Sequence, residues 1–526
     1  MALQKVLIAD QWIDSNSTGS FQAVNPTTRE TLPDEYPVSS WDEIDSALAA
    51  AAAASKELRG ASGEKFAAFL EAYANQIETR AADLVAMANL ETGLPAETRL
   101  AGGELPRTTN QLRQAATAAR EGSWATPTID TATGIRAVME ATGPVVVFGP
   151  NNFPFAFNGI SGGDFAAAVA AGNPVIAKGH SSHPGTTRIF AEAALAASQE
   201  TGMPAGFVQL IYRTSHADGA KLVADSRVFG VGYTGARHTG LILKEAADKA
   251  GTPIYLELSS VNPVFVLPGA LAERADAVAD EFAGSCLMGT GQFCTNPGIV
   301  VVPKGDAGEA LLASVAEKFG AAAPGVMLSE GVQKSFLSGV QGLVSAGAKL
   351  VAGGEDAGID SFSCQNTLLR VDGSAFLKNT EALQGEAFGN GSLFVFADDA
   401  AQMAAIAESM EGNLTGCIYS HTGGDDDAAY DAVAPALRNR VGRLLNDKMP
   451  TGVAVSAAMN HGGPFPATGH PGFTAVGIPE SIRRFAMLSC YDNVREHRLP
   501  ASLQDKNPNG SLWRIIDGKR TQADVG

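Results

Sequence analysis

An α/β fold on a parallel sheet is what this sequence predicts, and three observations carry the prediction. Between residues 145 and 258 five short apolar runs recur: Val145 to Phe148, Val175 to Lys178, Val208 to Tyr212, Val228 to Tyr233 and Ile254 to Leu258. A helix-length segment rich in alanine and polar residues separates each run from the next, the rhythm of strands joined by crossover helices. A second stretch of the same character runs from about Asn262 to Pro450. The 526 residues, 45 % hydrophobic and 18 % charged, suffice for two or three domains with sizeable cores and do not describe a disordered or fibrous chain.

The elements follow in order. Ser40-Trp41-Asp42-Glu43 reads as a capping box that opens an alanine-rich helix through about Leu58. Phe66, Leu70, Tyr73 and Ile77 recur at helical spacing, so a second amphipathic helix buries that stripe. The segment Ala125 to Ala141 alternates Thr, Ile and Val between two α/β blocks, which suits a projecting hairpin. In open parallel sheets ligands bind outside the carboxyl ends of the strands. Those ends carry Asn152, Lys178, Arg213 and Gly235, which are expected to line one face. Residues 501–526 are polar, with several Pro and Gly, and suggest an irregular tail.

The bulk charge narrows the function. A formal net charge of −18 argues against a nucleic-acid surface, although one or two local cations can still hold a small anion. Five cysteines without CxxC spacing suit free thiols in a reducing compartment. No secretory signal and no spanning helix is expected, so the expected location is the cytoplasm, with no membrane partner.

Several motifs compete. Gly230-Val231-Gly232-Tyr233-Thr234-Gly235 formally matches the dinucleotide fingerprint, with Glu257 at about the right interval for a ribose carboxylate. However, Gly230 and Gly232 fall inside a strand, in the fourth βα unit. A phosphate site at the helix N-terminus after Gly235 is retained and the strict fingerprint is not. Gly159-Ile160-Ser161-Gly162-Gly163 matches a nucleophile elbow but lacks a His–acid pair downstream, so close helix packing is the better reading. His180 and His183 have no Cys or carboxylate nearby, and no metal is expected there.

Gly291-Gln292-Phe293-Cys294-Thr295-Asn296 is the most informative stretch. Cys294 lies between a glycine turn and polar groups, whereas Cys417 sits in an apolar run as core cysteines do. Read with Asn152-Phe153-Pro154, Lys178, Tyr233-Thr234-Gly235, Glu257-Leu258 and Glu386-Ala387-Phe388-Gly389, in this order, the chain resembles the aldehyde dehydrogenase family to about Cys490. Asn151, Ala236 and Ser259-Ser260 depart from its commonest pattern. With Lys178 to Thr186 and His461 to Thr468, they resemble the branch that holds α-ketoglutaric semialdehyde dehydrogenases and a long-chain fatty aldehyde dehydrogenase.

The resemblance implies that Cys294 attacks an aldehyde to give a thiohemiacetal and then a thioester. Asn152 and the cysteine's own N–H would hold the oxyanion, and Glu257 would activate the hydrolytic water. It also implies a cofactor site of Lys178, Ser181, Arg213, Thr234, Gly235, Ala236, Glu386 and Phe388. Ser181 stands where NAD-preferring members carry a glutamate, so a 2′-phosphate meets no repulsion and Arg213 can pair with it. NADP is therefore expected, with NAD the alternative. Phe153, Phe293 and Phe465 are candidate pocket walls.

The implied organisation is a Rossmann-type cofactor domain from 1–124 and 144–258 with a return segment at about 455–480. A catalytic domain spans 259–454, oligomerisation elements 125–143 and 481–500, and a tail 501–526. The expected assembly is a homodimer or homotetramer. The expected reaction is 2,5-dioxopentanoate to 2-oxoglutarate. A medium- or long-chain fatty aldehyde is the alternative substrate, and a cofactor-independent thiol or serine hydrolase the alternative class.

Overall fold

The five apolar runs form the strands Val145–Phe148, Val175–Lys178, Val208–Ile211, Gly230–Thr234 and Ile254–Glu257. Their side chains are buried on nearly every position, which is why they read as continuous runs and not as alternations. This computed structural model describes residues 3–472 and 474–526.

The strands pair in parallel in the order Ile254–Glu257, Gly230–Thr234, Val145–Phe148, Val175–Lys178, Val208–Ile211. Two antiparallel strands, Val6–Ile8 and Gln11–Ile13, complete the far edge. The chain reverses its direction of travel across the sheet between Val145–Phe148 and Gly230–Thr234, the switch point at which such sheets hold ligands. Register pairs Thr234 with Glu257, Phe148 with Tyr233 and Phe148 with Lys178, so these ends lie side by side.

The N-terminal helices cover this sheet. Trp41–Glu57 starts where the Ser40 hydroxyl accepts the Glu43 N–H. The Glu43 carboxylate accepts from Ser15 and Asn16, so the capping box is one-sided. Gly63–Thr79 buries Phe66, Leu70, Tyr73 and Ile77 in the same core.

A second seven-stranded sheet, from Lys349–Ala352 to Val441–Asn446, is parallel except for its first edge strand. A core lies on each of its faces. A third sheet begins with the expected hairpin, Thr128–Asp130 and Ile135–Ala141. Ala486–Asp492 pairs with one side of it.

The tail is not irregular. Arg514–Ile516 adds in parallel to Thr128–Asp130 and turns back into Lys519–Thr521. The turn is Asp517-Gly518, both at positive φ, the two-residue hairpin that Asp-Gly favours. Buried Arg514 donates to the carbonyls of Gln504, Asp505 and Ala523, and Asn507 to those of Leu512 and Gln522. Polar composition hid an element pinned by backbone bonds. Among the described residues no helix is long and apolar enough to cross a membrane.

Candidate active site

The turn before Cys294 is left-handed at three successive residues: Gly289, Thr290 and Gly291 have φ of 56°, 60° and 66°. A Cβ on Gly291 would come within 2.1 Å of the Gly389 carbonyl oxygen, so only glycine lets this turn lie against the Glu386–Gly389 loop. Gln292 locks the turn by donating to Gly289 and Val326 carbonyls and accepting the Leu328 N–H. Asn262 donates to the carbonyls of Ser260, Cys294 and Asn296. Asn413 in turn accepts the N–H groups of Val261 and Asn262. Cys294 remains partly exposed on this scaffold, whereas Cys286, Cys364 and Cys417 are buried.

Three reactive groups converge. His461 Nε2 lies 3.5 Å from Cys294 Sγ and 2.8 Å from Glu257 Oε1. The thiol, imidazole and carboxylate ligand atoms all lie within 4.8 Å of one another. Burial pushes the Cys294 thiol well above its ordinary range, and the Glu257 charge pushes it further, against a smaller pull from Arg107. The resting sulfur is therefore a thiol, not a thiolate. One ring nitrogen faces both partners, and because it carries either a proton or a lone pair it can donate to Glu257 or accept from the thiol, but not both at once. Glu257 Oε2 is buried and has no hydrogen-bond partner among the described residues.

His461 reaches this position because residues 467–469 run beside the end strand. Leu258 N–H donates to Ala467, and Gly469 N–H to Leu256.

Asn152 stands in the loop after Val145–Phe148. Its amide donates to the Gln292 carbonyl at 3.0 Å, which leaves its second N–H uncommitted beside the Cys294 turn. Buried Glu104 holds the loop by accepting the N–H groups of Phe155 and Ala156, and Arg99 donates to the Asn152 carbonyl. Phe153 and Phe293 meet edge to face with ring centres 5.2 Å apart, and Phe157 joins them. Phe465 does not: it is 54 % exposed and lies against Arg237. An aromatic in a Pro- and Gly-rich segment gave no direction, and its neighbours turn it to solvent.

Further along the same carboxyl edge of the sheet, two cations have no counter-charge among the described residues. Among the described residues, Lys178 makes no hydrogen bond or ion pair; burial, and then the charge of Arg213, pull its pKa down to about 8. Ser181 lies in the turn that follows, and Arg213 is exposed with its guanidinium over Phe21. Thr234 ends its strand, the Gly235 N–H donates to the Glu257 carbonyl, and Ala236 begins the helix Arg237–Ala250 without a side-chain cap. Glu386, with Phe388 beside it, is pushed up to about 7 by burial, against hydrogen bonds from Ser259 and Ser260. A phosphate at the open helix terminus and hydroxyls at Lys178 and Glu386 would fit a nicotinamide dinucleotide.

The rejected motifs have structural roles. A Cβ on Gly232 would meet Asp164 at 2.6 Å, and Ser161 donates to the Phe155 carbonyl from full burial. His180 and His183 stack at 5.4 Å, and His183 contacts Thr187 and the Pro150 carbonyl.

A thiol–imidazole–carboxylate cluster, its sulfur partly exposed, thus stands at the carboxyl end of a Rossmann-type sheet beside an open helix terminus. The chain belongs to the aldehyde dehydrogenase family, which matches residues 12–463. It is 38 % identical over 520 residues to alpha-ketoglutaric semialdehyde dehydrogenase 2 of Azospirillum brasilense, covering 96 % of this chain and 97 % of that one. It is 35 % identical to alpha-ketoglutaric semialdehyde dehydrogenase of Acinetobacter baylyi, over 98 % and 99 % of the two chains. PnpE in complex with nicotinamide adenine dinucleotide shares the fold at a TM-score of 0.80 and 20 % identity, over 94 % of this chain and 98 % of that one. So does 3,6-anhydro-L-galactose dehydrogenase in complex with NAP, at 0.79 and 20 %, over 93 % and 99 %.

Proposed function

We propose that this aldehyde dehydrogenase oxidises 2,5-dioxopentanoate to 2-oxoglutarate, prefers NADP, and uses Cys294 as its nucleophile. The observation that carries the mechanism is the convergence of Cys294, His461 and Glu257 beside the free amide of Asn152. Its resting thiol must lose a proton as sulfur attacks the aldehyde carbon, and His461 Nε2, 3.5 Å away, accepts it in the tautomer in which that nitrogen is not donating to Glu257. The oxyanion that develops accepts from the Asn152 amide and from the Cys294 N–H. Lys178, Glu386 and the helix terminus after Gly235 would hold NADP, which would supply a hydride acceptor beside Cys294. Glu257 Oε2, buried and free, accepts a proton from the water that hydrolyses the thioester.

The two relatives support the substrate through their names. The NADP preference rests on Ser181 and on the unpaired charges of Lys178 and Arg213, which suit a 2′-phosphate. The Phe153–Phe157–Phe293 wall supports a second reading, a medium- or long-chain aldehyde. A homodimer or homotetramer is supported by the edge strand Ala486–Asp492, where Met487 and Leu488 are 59 % and 63 % exposed. Five free thiols suit a cytoplasmic setting.

The test is the initial rate of nicotinamide reduction with 2,5-dioxopentanoate and with octanal, each with NADP and NAD. The keto-semialdehyde with NADP should give the highest kcat/KM; a higher value for octanal would favour the apolar reading. Cys294→Ala should lower the rate by ~10⁴-fold or more. A rate retained by that variant would overturn the mechanism.

A further inference from the structure

Two guanidiniums on one helical run face the Asn152 loop, and only one of them is committed. The π-helical stretch Ala96–Glu104 passes directly into the helix Leu105–Glu121. From it, Arg99 gives one nitrogen to Glu104 at 2.9 Å and another to the Asn152 carbonyl at 3.0 Å. Arg107, two turns further on, has no hydrogen bond and no ion pair among the described residues. Its Nε and Nη2 are both buried and unpartnered. The rings of Phe153 and Phe157 flank it at 5.7 and 5.3 Å, and contact with a ring face does not replace the lost hydration of two N–H donors. The Phe157 ring that flanks it lies 5.9 Å from the His461 ring, and its charge is felt at Cys294, so Arg107 belongs to the same site without touching the sulfur.

The two orphaned donors are adjacent. Nε and Nη2 form one edge of the guanidinium fork, the edge that meets both oxygens of a carboxylate at once. Arg443, the other cation whose charge reaches Cys294, gives its Nη atoms to the carbonyls of Pro450 and Gly452 and has no such edge. Glu257, beside the sulfur, would repel an anion that entered this site without a counter-charge. We propose that Arg107 is the specificity residue of the pocket, binding the substrate's own carboxylate through its Nε–Nη2 edge while Cys294 takes the aldehyde at the other end. The ligand class is a short aldehyde with a carboxylate at the far end. This rests on the proposed reading only for the presence of that carboxylate, not for which aldehyde acid it is.

The experiment compares each aldehyde acid with its methyl ester, a neutral molecule of nearly the same shape. The pairs are 2,5-dioxopentanoate and succinic semialdehyde with their esters, and the readout is the acid-to-ester ratio of kcat/KM. In the wild-type enzyme the ratio should exceed 100 and lie mainly in KM. In Arg107→Gln it should fall at least 30-fold towards one, and Arg107→Lys, which keeps the charge but not the fork, should recover part of it. Competitive inhibition by 2-oxoglutarate against a neutral aldehyde should weaken in parallel, with thermal melting confirming that the variants fold. A wild-type preference for acids that survives in folded Arg107→Gln would overturn the role of Arg107 and leave the carboxylate substrate standing. A wild-type ratio near one would overturn both. Acid preference for succinic semialdehyde with no activity on 2,5-dioxopentanoate would overturn the named substrate alone.

Discussion

The turn that carries Cys294 and the carboxyl edge of the first sheet are built on opposite terms. In the turn nearly every polar group is committed: Gln292, Asn262 and Asn413 tie its backbone from three sides. At the edge, Lys178 feels the charge of Arg213, neither forms an ion pair among the described residues, and the helix after Ala236 starts without a side-chain cap. Saturation holds a reacting atom in place, whereas unsaturation leaves donors for a ligand that arrives from solution. The two regions should therefore answer mutation differently, the first in stability and kcat, the second in cofactor KM.

Among the residues that support the two regions, Asn262→Ala should give the largest effect. It removes donors to three carbonyls around Cys294, so unfolding free energy should fall by about 2–4 kcal/mol and kcat by ~100-fold, measured by denaturant titration and steady-state rates. Little change in either would show that the turn is held by something else. His461→Gln should leave stability closer to wild type and slow alkylation of Cys294 by iodoacetamide at pH 7 by ~30-fold, because burial and Glu257 keep the thiol protonated without a nearby proton acceptor. An unchanged alkylation rate would remove His461 from the chemistry.

At the sheet edge, Arg213→Ala should lower the NADP-to-NAD ratio of kcat/KM by ~10-fold while stability stays within about 0.5 kcal/mol. The smallest effect is a pH dependence. The Lys178 pKa is pulled down to about 8, so the ammonium is present below pH 8 and is lost as pH rises through it. Its contribution to kcat/KM for the cofactor should fall about eightfold between pH 7.5 and 9, and Lys178→Met should flatten that limb.

Much of the fold was legible because it depends on local signals. Doubly buried strands read as apolar runs, and Ser40 read as a cap. Asp517-Gly518 is an equally local signal, masked by the polar residues and prolines that surround it. The site divides along the same line. Cys294, Glu257 and Asn152 stand in short motifs with recognisable neighbours. His461 was visible only as part of a glycine-rich run, since its partners are 167 and 204 residues away. Arg107 had no signal at all: what distinguishes it from Arg99 is an ion pair that one makes and the other lacks.

The central claim, that Cys294 carries an acyl group which Glu257 helps water remove, is tested most directly by rapid mixing of Glu257→Gln with aldehyde and NADP. The account predicts a burst of about one reduced nicotinamide per subunit, then a steady rate ~100-fold below wild type, with an acyl adduct on Cys294 by intact mass. Steady turnover at the wild-type rate, or a burst without any adduct on Cys294, would contradict it.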